Sequence, residues 1–244
     1  MAERARQPAA RTIKSDRPAV FGSPGVPMWA KGTIRSFGAD GLQRGEPPVM
    51  TIQEKKCRLR RTIRELEGQL SPRYLEKSSQ AIAARLLAMP EYRTAGAVFC
   101  FVGREREVDT RPILQDALDS GKILCVPLCS TPGRMELRRI TALTQLLPGA
   151  YGIPEPPADS ISIRPDKVDF AVVPCVTCSR TGRRLGHGGG YYDRFLAHYR
   201  SGSVLLCREQ LIWDEIPVEP HDCPIPWVLT ERGLYEDGVP ARLG

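Results

Sequence analysis

The stretch Arg184-Leu185-Gly186-His187-Gly188-Gly189-Gly190-Tyr191-Tyr192-Asp193-Arg194-Phe195-Leu196 concentrates residue types that handle an anionic ligand. Four glycines in the five positions 186–190 leave the backbone free to turn tightly and approach a ligand closely. The helical pattern that begins at Tyr191 would aim unpaired N–H groups at an anion. The run reads as a phosphate cradle, or as a glycine-rich turn with no ligand. It is not a Walker A loop, since no Gly-Lys-Ser/Thr closes it, and no GxGxxG opens a first βα unit. Upstream, Lys56 and Arg60 stand four apart, a spacing that lets one helix face present two cations to a polyphosphate. The same pair is also what a solvated Lys/Arg-rich face looks like. Cys175-Val-Thr-Cys178 has redox or zinc spacing, but there is no second CxxC and the nearest histidine stands nine residues on, so these thiols are read as free.

Five separated motifs in one order carry a resemblance. The run RLGHGGGYYDRFL, Glu107-Val-Asp-Thr110, Tyr151-Gly-Ile-Pro-Glu-Pro156, Lys56-x-x-x-Arg60 and His221-Asp222 together resemble the 5-formyltetrahydrofolate cyclo-ligase (methenyltetrahydrofolate synthetase) family over about Gln53 to Glu231. The resemblance implies an ATP- and magnesium-dependent enzyme that converts 5-formyltetrahydrofolate to 5,10-methenyltetrahydrofolate with release of ADP and phosphate. It implies that Lys56, Arg60 and the loop Arg184, Leu185, Gly186, His187, Gly188, Gly189, Gly190, Tyr191 and Tyr192 contact ATP. Glu107, with Val102 beside it, His187 and Tyr191 would face the folate, and Asp193 and Asp222 would be magnesium ligands. No covalent nucleophile is implied.

Each assignment has a plainer counterpart. Tyr191 and Tyr192 suit the core side of a following helix, Asp193 in a first helical turn complements the helix dipole, and Asp222 suits a turn. Asp109 and Thr110 read as helix-capping residues ahead of Pro112. The chain also departs from the family pattern. His187 stands where arginine is usual, and an imidazole lacks the fixed charge and five-donor fork of a guanidinium. Pro174-Cys-Val-Thr-Cys-Ser179 replaces the usual Pro-Gly-x-Ala-Phe-Asp. A non-catalytic folate- or nucleotide-binding homologue is therefore the alternative reading.

The elements that must position these residues follow from periodicity. Apolar residues at 52, 59, 63, 66 and 70 make a helical stripe with Lys56 in its missing step. Ser71-Pro72 reads as an N-cap with proline at the first helical position, and Leu70 and Leu75 are placed for a hydrophobic staple. Ile82, Leu86 and Met89 continue a buried face to Pro90, completing a helical hairpin. Unalternating apolar runs follow at Ala97 to Val102, Ile123 to Val126, Phe170 to Val173 and Val204 to Cys207, as expected of strands buried on both faces. Interleaved helical stretches at Pro112 to Leu118 and Tyr191 to Tyr199 make the fold class α/β, a mostly parallel sheet covered by helices on both faces. Ligands of such sheets bind beyond the carboxyl ends of the strands.

Over half of the net charge of +7 falls in residues 1–49, which also hold six prolines and six glycines without apolar periodicity. That segment reads as a disordered extension, with residues 50–244 as a single α/β domain. Met50 directly precedes the first helical pattern and is an expected alternative translation start. A basic tail without basic–aromatic interleaving argues against nucleic acid as a partner and for phosphorylated or carboxylated small molecules. No run approaches the ~18 consecutive apolar residues of a membrane span. The expectation is a cytoplasmic monomer in a reducing compartment, without membrane contact, with its eight cysteines unpaired.

Overall fold

The computed structural model describes residues 50–242 except 132, 150 and 151, and the backbone alone of Ser130 and Thr131. The extension expected over residues 1–49 and Tyr151, the first residue of the Tyr151-Gly-Ile-Pro-Glu-Pro156 motif, lie outside the described residues. The helical hairpin forms as α1 (Ile52–Gln69) and α2 (Pro72–Ala88), followed by the short α3 (Pro90–Thr94). Thr51 and Glu54 close a reciprocal capping box at the start of α1, and Ser71 Oγ accepts the Tyr74 N–H (3.2 Å) at the start of α2, with Pro72 in its first turn. Both caps satisfy donors that a helix start leaves without partners.

Four apolar runs become the central strands β1 (Ala97–Cys100), β2 (Ile123–Thr131), β5 (Phe170–Pro174) and β6 (Gly202–Leu206). The remaining strands of this sheet are β3 (Arg134–Ile140), β4 (Ser162–Ile163), β7 (Trp227–Leu229), β8 (Leu234–Glu236) and β9 (Val239–Ala241). The order is β9-β8-β7-β6-β5-β1-β2-β3-β4, and the five strands from β7 to β2 run parallel. Antiparallel strands extend both edges. The helices α4 (Arg111–Asp119) and α5 (Tyr191–His198) complete the layers.

Alternate residues of the same strands belong to two separate cores. Val98, Cys100, Val172 and Leu206 pack with Ile82, Leu86 and Ile113 of α2 and α4, whereas Phe99, Ala171, Val173 and Leu205 pack with Leu59 and Ile63 of α1 and Phe195 and Leu196 of α5. Because both faces are covered, each central strand is apolar throughout, which is why the runs show no alternation. No helix among the described residues is long and apolar enough to cross a membrane.

Candidate functional site

The chain passes from β1 to β2 on one side and later to β5 on the other, so the connections leaving β1 and β5 diverge at the middle of the sheet. Such a reversal opens a crevice beyond the strand ends. A cleft of ≈ 670 Å³ lies there, and its lining includes Lys56, Arg60, Val102, Glu107, every residue from Arg184 to Asp193, and Asp222. All the site residues expected from the sequence thus come to one place, although they span most of the described chain.

Backbone constraints after β1 aim Glu107 at the cleft. Thr110 Oγ1 donates to the Phe101 carbonyl (2.8 Å) and accepts the Gly103 N–H (3.0 Å), drawing the loop into a tight bend. A Cβ on Gly103 would lie 2.2 Å from the Val108 carbonyl oxygen, so the bend admits only glycine. The expected capping role of Thr110 is corrected: its hydroxyl is committed to this bend and makes no cap bond, while Asp109 accepts the Arg111 N–H (3.0 Å). Glu107 receives the Arg104 N–H (3.0 Å), the Arg104 guanidinium (3.2 Å) and His187 Nε2 (2.9 Å). Burial alone would raise the Glu107 carboxyl, but its hydrogen bonds to His187 and the Arg104 N–H, with the charge of Arg104, hold it below the usual carboxylate range.

Across the cleft α1 presents its cations. Lys56 is buried, and its ammonium donates to Glu219 (2.9 Å) and Asp222 (2.6 Å). The missing step in the apolar stripe is therefore a lysine drawn inward by two carboxylates rather than a solvated one. Burial pushes the Lys56 ammonium toward deprotonation, and the bonds to Asp222 and Glu219 outweigh it, so the net displacement is upward. Burial likewise raises Asp222, and its bonds from Lys56 and the Glu219 N–H bring it below the ordinary range. Arg60 Nε donates to the Gly186 carbonyl (2.8 Å), fixing α1 to the glycine loop.

The loop itself is held by arginines. Gly190 adopts φ 64° at the start of α5, a left-handed conformation that favours glycine, and no side chain caps the helix there. Arg194 Nη2 donates to the Gly189 carbonyl (2.6 Å), and Arg184 pairs with Asp193 while its guanidinium lies 5.9 Å from the Tyr192 ring centre. Tyr192 takes the core role foreseen for one of the two tyrosines, stacking on Phe99 with ring centres 6.1 Å apart. Tyr191 remains in the cleft wall.

Sequence reading passed over Arg64, Arg104 and Glu219, all of which line the cleft. Arg64 continues the i, i+4 series from Lys56 and Arg60, a signal already present in the spacing. Glu219 carries no local signal. The acidic cluster containing Asp222 consists of Glu219, His221 and Asp222, whose ligand atoms lie within 4.8 Å of one another, and it does not include Asp193.

The depressed carboxyls set a pH dependence with a definite sign. Glu107 and Asp222 contribute stability that is complete above their unfolded values, about pH 4, and lost as pH falls through the lower folded ones. The raised Lys56 contributes below about pH 10 and loses its effect as pH rises through its folded value. In magnesium-free buffer, Asp222→Asn is expected to flatten part of the acid arm of a Tm-against-pH curve; an unchanged slope would remove the Lys56–Asp222 pair from the acid response.

The model of the 5-formyltetrahydrofolate cyclo-ligase family matches residues 52–231. Among curated relatives, the 5-formyltetrahydrofolate cyclo-ligase of Escherichia coli (strain K12) is 28% identical over 180 residues, covering 71% of this chain and 99% of the relative. The NMR structure of Aquifex aeolicus 5,10-methenyltetrahydrofolate synthetase superposes with a TM-score of 0.68 at 28% identity, covering 78% of this chain and 96% of that one. A 5,10-methenyltetrahydrofolate synthetase from Mycoplasma pneumoniae shares the fold at 17% identity, with a TM-score of 0.59, 72% of this chain and 98% of that one being covered. With the family model spanning the helical hairpin, the glycine loop and the acidic cluster alike, the chain belongs to the 5-formyltetrahydrofolate cyclo-ligase family.

Proposed function

We propose that residues 50–244 form the catalytic domain of an ATP- and magnesium-dependent 5-formyltetrahydrofolate cyclo-ligase. The observation that carries the reading is the single cleft in which the α1 cations and the glycine loop face Glu107. In the reaction, the formyl oxygen of 5-formyltetrahydrofolate takes the γ-phosphoryl group of ATP and ADP leaves. N10 of the folate then attacks the activated carbon, the C–O bond breaks with phosphate as leaving group, and the N10 proton passes to solvent. A formamide is a poor electrophile with a poor leaving group, and phosphorylation corrects both. The protein's part is positioning and charge neutralisation.

Lys56, Arg60 and the backbone of Gly186 to Gly190 hold the polyphosphate. Glu107 accepts hydrogen bonds from pterin N–H groups, with Val102 and Tyr191 bordering the ring. The hard carboxylate oxygens of Asp222 and Glu219 suit magnesium, with Asp193 of the same cleft as a further candidate. When bound, that ion supplies charge neutralisation between the phosphates of ATP. The Lys56 ammonium bound to both carboxylates supports the reading of this corner as one that favours a cation.

The test is near-ultraviolet absorbance of the methenyl product from purified protein, magnesium, ATP and 5-formyltetrahydrofolate, with ATP omitted from one control. An ATP-dependent rise is expected. Folded protein that binds both ligands without turnover would instead support the non-catalytic reading and place the lesion at Cys175 to His187. His187→Arg is expected to preserve or raise turnover, since a guanidinium can still donate to Glu107 while adding a fixed charge beside the loop. A collapse would give the imidazole a role of its own.

A further inference from the structure

Cys175 follows β5, Cys207 follows the adjacent parallel strand β6, and Cys178 lies in a two-residue ladder formed by Thr177–Cys178 against Arg184–Leu185. The three sulfur atoms lie within 4.8 Å of one another. We propose that Cys175, Cys178 and Cys207 form a three-thiolate site for one thiophilic d10 cation, zinc(II) or copper(I), that pins the crossover from β5 to the glycine loop.

The arrangement differs from cysteine used as a small hydrophobe. Cys100 and Cys125 each sit within a central strand among apolar neighbours. Cys178 and Cys207 also belong to the apolar core on the α1 side, with Cys175 packed against it. The three sulfurs nonetheless converge at the strand ends, where Cys207 joins the Cys175-x-x-Cys178 stretch from the adjacent strand, Cys178 being fully buried and Cys207 nearly so. A cation with bonds of about 2.3 Å holds tetrahedral sulfurs about 3.8 Å apart, so the observed spacing closes by no more than about 1 Å. A disulfide requires about 2.05 Å and a larger movement of one segment. Soft thiolate ligands select copper(I) and zinc over magnesium, which keeps this site chemically separate from the carboxylates of the cleft.

Two neighbouring features complete the site. A cavity of ≈ 20 Å³, lined by Cys175, Cys207, Glu107 and Arg208, has room for one water-sized fourth ligand. The buried Arg208 guanidinium bonds Ser79 (3.0 Å) and the Glu107 carbonyl (3.0 Å) through Nη2, yet its buried Nε has no partner. Zinc binding converts three thiols and Zn²⁺ into a tris-thiolate of net charge −1 with release of three protons, and the Arg208 cation offsets that charge. Cys178 pairs with Arg184 in the small ladder, and Arg184 holds Asp193, so a cation here would steady the base of the glycine loop.

The test uses reduced, chelator-stripped full-length protein, titrated with zinc chloride against a chromophoric chelator and with copper(I) against a copper(I) chelator. Cobalt(II) serves as a spectroscopic probe. One equivalent of zinc or copper(I) is expected, together with a thiolate-to-cobalt charge-transfer band. Whichever arm gives tight binding identifies the cation. Cys207→Ser is expected to weaken binding at least about 100-fold, beyond the 10–100-fold typical of losing an outer-shell partner. Cys57→Ser, at an exposed cysteine, should leave it unchanged. If Cys207→Ser does not fold, the charge-transfer intensity of the wild-type cobalt form, scaled to three thiolates, gives the same answer. Absence of binding by folded, reduced protein would overturn the proposal. So would a cobalt spectrum without thiolate charge transfer, or loss of two hydrogens on mild oxidation with no metal retained, which would make the cluster a dithiol pair.

Discussion

Lys56→Met is expected to lower ATP-dependent methenyl formation by at least about 100-fold, the effect of removing one charged donor from a developing anion in a water-poor site. The substitution keeps an unbranched apolar stem beside Leu59 and removes only the ammonium. In the resting protein that ammonium is buried and bound to Glu219 and Asp222. A polyphosphate arriving at the cleft offers a second anionic partner within reach of the same flexible side chain. The KM for ATP should therefore rise while the KM for the folate changes little. The variant should also melt at a lower temperature than wild type, since the two carboxylates lose the cation they share. Wild-type kcat/KM for ATP in a folded variant would remove Lys56 from the nucleotide site and leave it a structural ion pair.

Glu107→Gln should show the complementary pattern, with kcat/KM for 5-formyltetrahydrofolate falling by roughly 10- to 100-fold and the KM for ATP unchanged. A hydrogen bond to a charged acceptor contributes roughly 1.5–3 kcal/mol, which corresponds to that range. Glutamine retains one acceptor but adds an amide donor facing the pterin N–H groups, the wrong polarity for the site. The loop conformation should persist, because Thr110 fixes the bend through Phe101 and Gly103 independently of the carboxylate. Near-ultraviolet circular dichroism checks that point. Equal losses toward both substrates would mean that Glu107 acts by holding Arg104 and His187 in place rather than by touching the folate. Kinetics of the two variants, with each substrate varied in turn, test whether the cleft divides into a nucleotide side and a folate side.

The sequence by itself determined the covered parallel sheet and the hairpin before it. Burial on both faces leaves an unbroken apolar record in Phe170 to Val173, and the Ser71-Pro72 cap is local chemistry. Motif order likewise grouped the loop, Lys56, Arg60, Glu107 and Asp222, and these residues line one cleft. The edge strands were not legible. Arg134–Ile140 carries three arginines and takes strand form through pairing with β2. Nor was Glu219, whose position matters because folding brings it to Lys56, or Cys207, which joins a Cys-x-x-Cys pair through the adjacency of two parallel strands. Periodicity records which face of an element is buried, a local property. The partners at a strand end depend on which distant strand folds alongside it, and only the tertiary structure decided that.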